Sequence, residues 1–107
     1  MIKASFFHSK SGEPTGFEIC GHSGYAQSGS DIVCASVSSA AYMVANTITE
    51  VIGVDAFIQV DDNGSMTLKI PQGSANKTKD ILLGFELHLK GLEEQYPKNV
   101  TITTTEV

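Results

Sequence analysis

Seven apolar side chains, Val33, Val37, Ala40, Ala41, Val44, Ile48 and Val51, fall on one stripe of a helix at about 100° per residue. A helix so patterned must bury that stripe against something, and the rest of the chain supplies the partner. Ile2, Ala4 and Phe6 alternate with Lys3, Ser5 and Phe7, the period of a strand with one face inward. Alternation resumes over Gly16–His22 after the turn residues Ser11-Gly12-Glu13-Pro14, so the two segments read as a hairpin. A second hairpin is expected from Val54–Asp61 and Met66–Ile70. Its tip, Asp62-Asn63-Gly64, contains the Asn-Gly pair whose residues accept positive φ. Ile81, Leu82, Phe85, Leu89, Leu92 and Tyr96 make a second helical stripe that Pro97 ends, and Val100–Thr105 reads as a last strand.

The order is therefore ββαββαβ. Short hairpin links favour antiparallel pairing, so the expected fold is α+β, a mainly antiparallel sheet with two helices packed on it. No linker or repeat divides the 107 residues, which form one domain spanning 1–107. Apolar residues at 41% exclude intrinsic disorder. Strictly apolar runs are only a few residues long, so no membrane span is expected. The alternating N-terminus reads as a strand and not as a signal peptide, and two cysteines make a poor disulfide framework, which together point to the cytoplasm. Twelve acidic against seven basic residues give a net charge of −5. Phosphate backbones are bound through Lys and Arg, so no direct nucleic-acid binding is expected, and a basic polypeptide suits the surface better.

The chemistry gathers at one loop. Asp31 stands before the first helix as its N-cap and Gly53 after it as a stop, which makes Cys34 the third helical residue. There the unpaired backbone N–H groups and the helix dipole favour a thiolate over the thiol. Ser38, four residues on, shares that side of the helix. His22 ends the strand that feeds the loop, and a thiol paired with a base is the requirement for covalent catalysis. A lone helical cysteine is also a common small core residue, and a histidine at a strand end is commonly a hydrogen-bonded surface group. Spacing leaves both readings open. Cys20, His22 and Cys34 supply one ligand fewer than the four that structural zinc takes, so neither a metal nor a cofactor is expected. Leu83 and Leu87 lie opposite the second stripe, as a candidate interface patch or an incidental exposed pair.

The run Gly21-His22-Ser23-Gly24-Tyr25-Ala26, followed by Gly29-Ser30-Asp31-Ile32-Val33-Cys34-Ala35 and Ser38, resembles the signature of the Prp ribosomal-processing cysteine protease family. Length and element order resemble the family over the whole chain. The resemblance implies a homodimeric cysteine endopeptidase that removes a short N-terminal extension from a large-subunit ribosomal protein, the one numbered twenty-seven, after a pair of aromatic residues. By match, Cys34 is the nucleophile and His22 the general base. Asp31 and Ser38 fall on motif positions as supporting or pocket residues, and the loop holding Gly24, Tyr25 and Gly29 is implied to be a flap over the substrate. Two rivals remain at this point: a non-catalytic ribosome-associated binding module, and a thiol redox protein that needs Cys20 as much as Cys34.

Overall fold

The computed structural model describes residues 1–21, 28–62 and 64–107, with residues 28–31 described by their helical backbone alone. Among the described residues there are five strands, β1 (Ile2–His8), β2 (Pro14–Cys20), β3 (Phe57–Val60), β4 (Met66–Lys69) and β5 (Val100–Glu106). They form one sheet in the order β3-β4-β2-β1-β5, antiparallel except for the parallel β1–β5 pair. Two helices complete the expected ββαββαβ order: α1 (Ser28–Asn46), continued by a π-helical segment Thr47–Ile52, and α2 (Ala75–Gln95).

Register explains why one sheet face is covered. Ala4 pairs with Ile19 and Phe6 with Phe17, while Ile19 and Phe17 pair with Met66 and Leu68. These buried residues share a face, and the helical stripes close over it with Val33, Val37, Ala41, Val44 and Ile48 from α1 and its extension, and Leu82, Phe85 and Leu89 from α2. Phe17 and Phe85 meet edge-to-face with centroids 4.8 Å apart, and Phe6 completes the cluster at 5.5 Å from Phe85. Such contacts add about 0.5–1.5 kcal/mol each beyond the area they bury. Polar contacts tie α2 to the sheet at its middle and near its C-terminal end. Glu86, nearly buried, lies 3.1 Å from His8 Nε2 and 3.2 Å from Lys90 Nζ, and the Ile102 amide donates to Glu93 Oε2 at 2.9 Å.

Several boundaries differ from the sequence expectation. α1 begins at Ser28, so Asp31 lies inside the helix and is not its N-cap, and Gly29 is helical and not part of the loop. The run Ser28-Gly29-Ser30-Asp31 has the composition of a cap and loop, but the helical hydrogen-bond ladder extends through it. β2 ends at Cys20, and His22 is outside the described residues. Pro14 opens β2, a position where its missing N–H costs the ladder little. β3 is shorter than Val54–Asp61 because Val54 is still tied to the helix exit, its amide donating to the Ile48 carbonyl at 2.9 Å. Val51 is 79% exposed and does not join the stripe, whereas Ile52 packs against the core. The wider π turn shifts the residues after Ile48 around the axis and brings the fourth residue on, not the third, inward. Gly53 ends the helix as expected, with φ 83 in the left-handed region.

The apolarity of α1 and its extension has a packing origin. Ile32–Ile52 is long and apolar enough to cross a bilayer by length and composition. Its inner stripe, however, is the core of this domain, which accounts for the apolarity.

Candidate active site

Cys34 is the seventh residue of α1, about 9 Å along the axis from Ser28 at 1.5 Å per residue. The helix dipole fades within the first turn. The sulfur therefore does not rest on the positive end of the helix, a correction to the third-position reading that follows directly from the earlier helix start. Its environment is intermediate: Cys34 is half-buried and packs against the core.

A small depression opens beside it, lined among the described residues by Ile2, Ile19, Cys20, Cys34, Val37, Ser38 and Gly64. Three elements thus meet at Cys34: the start of β1, the end of β2 and the β3–β4 turn. Ser38 is exposed yet lines the same depression, as the four-residue spacing places it. Two residues earlier, Ser36 turns back on its own helix, its Oγ donating to the Ile32 carbonyl at 2.8 Å. Cys20 and Cys34 are both free thiols. Gly21, the last described residue before His22, has φ 84, and a Cβ there would lie 2.6 Å from the Met1 carbonyl oxygen. This close approach demands glycine immediately ahead of the candidate base.

His22, Gly24 and Tyr25 lie outside the described residues, as does the side chain of Asp31. Among the histidines that are described, His8 is engaged with Glu86 and His88 is exposed on α2. Sequence reasoning missed the contribution of Gly64 to the cavity. The Asn-Gly turn signal was visible, but its proximity to Cys34 depends on β4 pairing with β2, which no local pattern reveals.

A half-buried free cysteine on the first of two helices that cover a five-stranded sheet defines a class, the small α+β domains that hold a thiol between helix and sheet. The comparisons with known proteins make the class specific. The sequence profile of the family described as "Cysteine protease Prp" matches residues 1–101. The ribosomal processing cysteine protease Prp of Bacillus subtilis (strain 168) is 26% identical over 109 residues, covering 97% of each chain. Among solved structures, SMU.848 from Streptococcus mutans superposes with a TM-score of 0.90 at 28% identity, covering 100% of this chain and 96% of the other. The essential ribosomal processing protease Prp from S. aureus, in complex with a covalently linked product peptide, gives a TM-score of 0.86 at 25% identity, covering 98% and 100%. The chain belongs to the Prp cysteine protease family, and it is a cysteine protease.

Proposed function

We propose that this protein is a cytoplasmic endopeptidase of ribosome maturation, which removes the N-terminal extension of the large-subunit ribosomal protein numbered twenty-seven, with Cys34 as nucleophile and His22 as general base. The observation that carries the reading is the placement of Cys34: a free thiol, half-buried on a rigid helix, at a depression where three elements meet. The covalently linked product peptide of the S. aureus relative supports a covalent route.

In this mechanism His22 accepts the thiol proton and the Cys34 sulfur attacks the scissile carbonyl carbon. The tetrahedral species collapses as the C–N bond breaks, and the proton passes from His22 to the leaving amine. A thioester joins the N-terminal product to Cys34 until water, deprotonated by His22, releases it as a carboxylate. With Cys34 beyond the first helical turn, activation of the thiol rests on the imidazole more than on the dipole. Ser38 lines the pocket, and Asp31, no longer needed as a cap, is free to orient His22. The loop containing Gly24 and Tyr25 covers the bound peptide, with Gly29 anchoring its far end in α1. No cofactor is required. A basic ribosomal precursor suits a chain of charge −5, and contact is with protein and not nucleic acid. The family resemblance further supports a homodimer, for which Leu83 and Leu87, 39% and 72% exposed on α2, offer apolar surface.

The test is mass-spectrometric mapping of the cut in the ribosomal precursor, with wild type and Cys34→Ala side by side. Wild type is expected to release the extension after its aromatic pair while the variant, equally folded, releases none. Cleavage by Cys34→Ala excludes the assigned nucleophile, and an uncut precursor with wild type excludes the substrate.

A further inference from the structure

Strand β3 is one outer edge of the sheet, and apart from its shortness it carries none of the side-chain devices that usually blunt such an edge. Phe57-Ile58-Gln59-Val60 holds no charge and no proline. All four residues are exposed, including Phe57 at 54%, Ile58 at 37% and Val60 at 47%. Ile58 and Val60 pair with Leu68 and Met66, so their side chains project on the helix-covered face yet remain uncovered at its margin.

The backbone is equally available. The Asp61 amide donates to the Ser65 carbonyl at 2.9 Å, which fixes the phase of the β3–β4 ladder. In an antiparallel pair, residues exchanging hydrogen bonds alternate with residues that do not. With Asp61–Ser65 bonded, Gln59–Thr67 and Phe57–Lys69 are bonded too, and Ile58 and Val60 turn their N–H and C=O groups to the free edge. The strand then runs directly into the turn that holds Gly64, which lines the depression at Cys34.

Charge decides what fits this edge. Exposed Asp55 precedes β3, and exposed Asp61 and Asp62 follow it. A second copy pairing antiparallel through β3 sets Asp55 of each chain against Asp61 and Asp62 of the other, like charges facing like. A peptide with an apolar centre and basic flanks meets the opposite situation.

We propose that β3 is the docking strand for the substrate: an extended peptide with an apolar core and lysine or arginine flanks adds to the sheet at Ile58 and Val60, and its continuation past the β3–β4 turn reaches Cys34. This rests on the reading of Cys34 as the cleaving residue. Main-chain bonds supply the hold, and the apolar side chains on alternate positions supply the preference. Four residues span about 13 Å, enough to align a short recognition segment.

The probe is a peptide in which a lysine-flanked apolar segment lies several residues from the two adjacent phenylalanines at the cut, paired with versions N-methylated at single backbone amides across the apolar segment. N-methylation at the amides that pair with β3 is expected to raise KM at least tenfold with kcat changed little, while methylation at the neighbouring, outward amides has a small effect. Val60→Pro, which deletes an edge donor without touching the β3–β4 bonds, is expected to raise KM similarly, with the iodoacetamide reactivity of Cys34 unchanged. Amide shifts of residues 57–60 on adding the peptide to the Cys34→Ala protein report binding without cleavage. Equal KM for all methylated peptides, shifts that bypass 57–60, or broadening of 57–60 that depends on protein concentration alone each overturn the proposal, the last by showing a second copy on the edge. Cleavage by Cys34→Ala instead sinks the nucleophile assignment, and the shifts of 57–60 still judge the edge separately.

Discussion

Gly21→Ala perturbs the backbone one residue before the candidate base, and its cost can be worked from the geometry. At φ 84 an alanine bears the left-handed penalty, about 1–2 kcal/mol. Its Cβ also falls 2.6 Å from the Met1 carbonyl oxygen, where ordinary contact starts at 3.4 Å, so one backbone segment has to move by most of an ångström. Met1 is 54% exposed, but Ile2 is buried and its amide is bonded to the Asn99 carbonyl at 2.8 Å, which limits the give. A total of about 2–3 kcal/mol follows, and at roughly 4–8 °C per kcal/mol the melting temperature drops by about 10–20 °C. Gly12→Ala is the control. It has φ 87 and nothing within 4 Å of the added Cβ, so it carries the conformational penalty without the collision. Thermal melts followed by circular dichroism separate the two contributions. A Gly21→Ala protein melting at or above Gly12→Ala refutes the claim that close approach to Met1 fixes glycine at this position.

Thr78 is fully buried on α2 and its hydroxyl has no hydrogen-bond partner among the described residues, so Thr78→Val removes an unsatisfied polar atom at nearly constant shape. The expected gain is about 1 kcal/mol, read as a rise in melting temperature, and a fall contradicts it. Cys34 is expected to alkylate faster than Cys20 with iodoacetamide near neutral pH, and His22→Ala is expected to remove the difference. Equal rates in the wild type argue against an activated thiol and revive the redox alternative, because both cysteines line the same depression.

The interior of each element was the most legible part of the sequence. Val33 to Ile48 and Leu82 to Leu89 repeat with helical period because the same packing that buries them selects apolar residues there, and Ile2, Ala4 and Phe6 alternate for the corresponding reason in a strand. Element ends were less legible. Ser28 to Asp31 look like a cap because serine, glycine and aspartate all favour caps, yet the helix continues through them. Val54 and Ala56 continue the alternation of β3 by coincidence, since hydrogen bonding ties Val54 to the helix exit. The sheet order, and with it the meeting of Gly64 with Cys34, depends on pairings distant in sequence. So does the His8–Glu86 contact, which joins residues 78 positions apart and has no local signature. At the site itself, Cys34 and Ser38 could be placed on one side of a helix from their spacing, whereas the depth of Cys34 within that helix depended on a start that the composition disguises.

The most direct measurement concerns the covalent intermediate. Wild-type protein mixed with a peptide substrate and quenched in acid within the first turnover is digested and analysed by mass spectrometry for an acyl adduct. A thioester of the N-terminal product on the Cys34-containing fragment, labile to hydroxylamine, is the predicted result. An adduct on Cys20, or efficient turnover with Cys34 never acylated, contradicts the account.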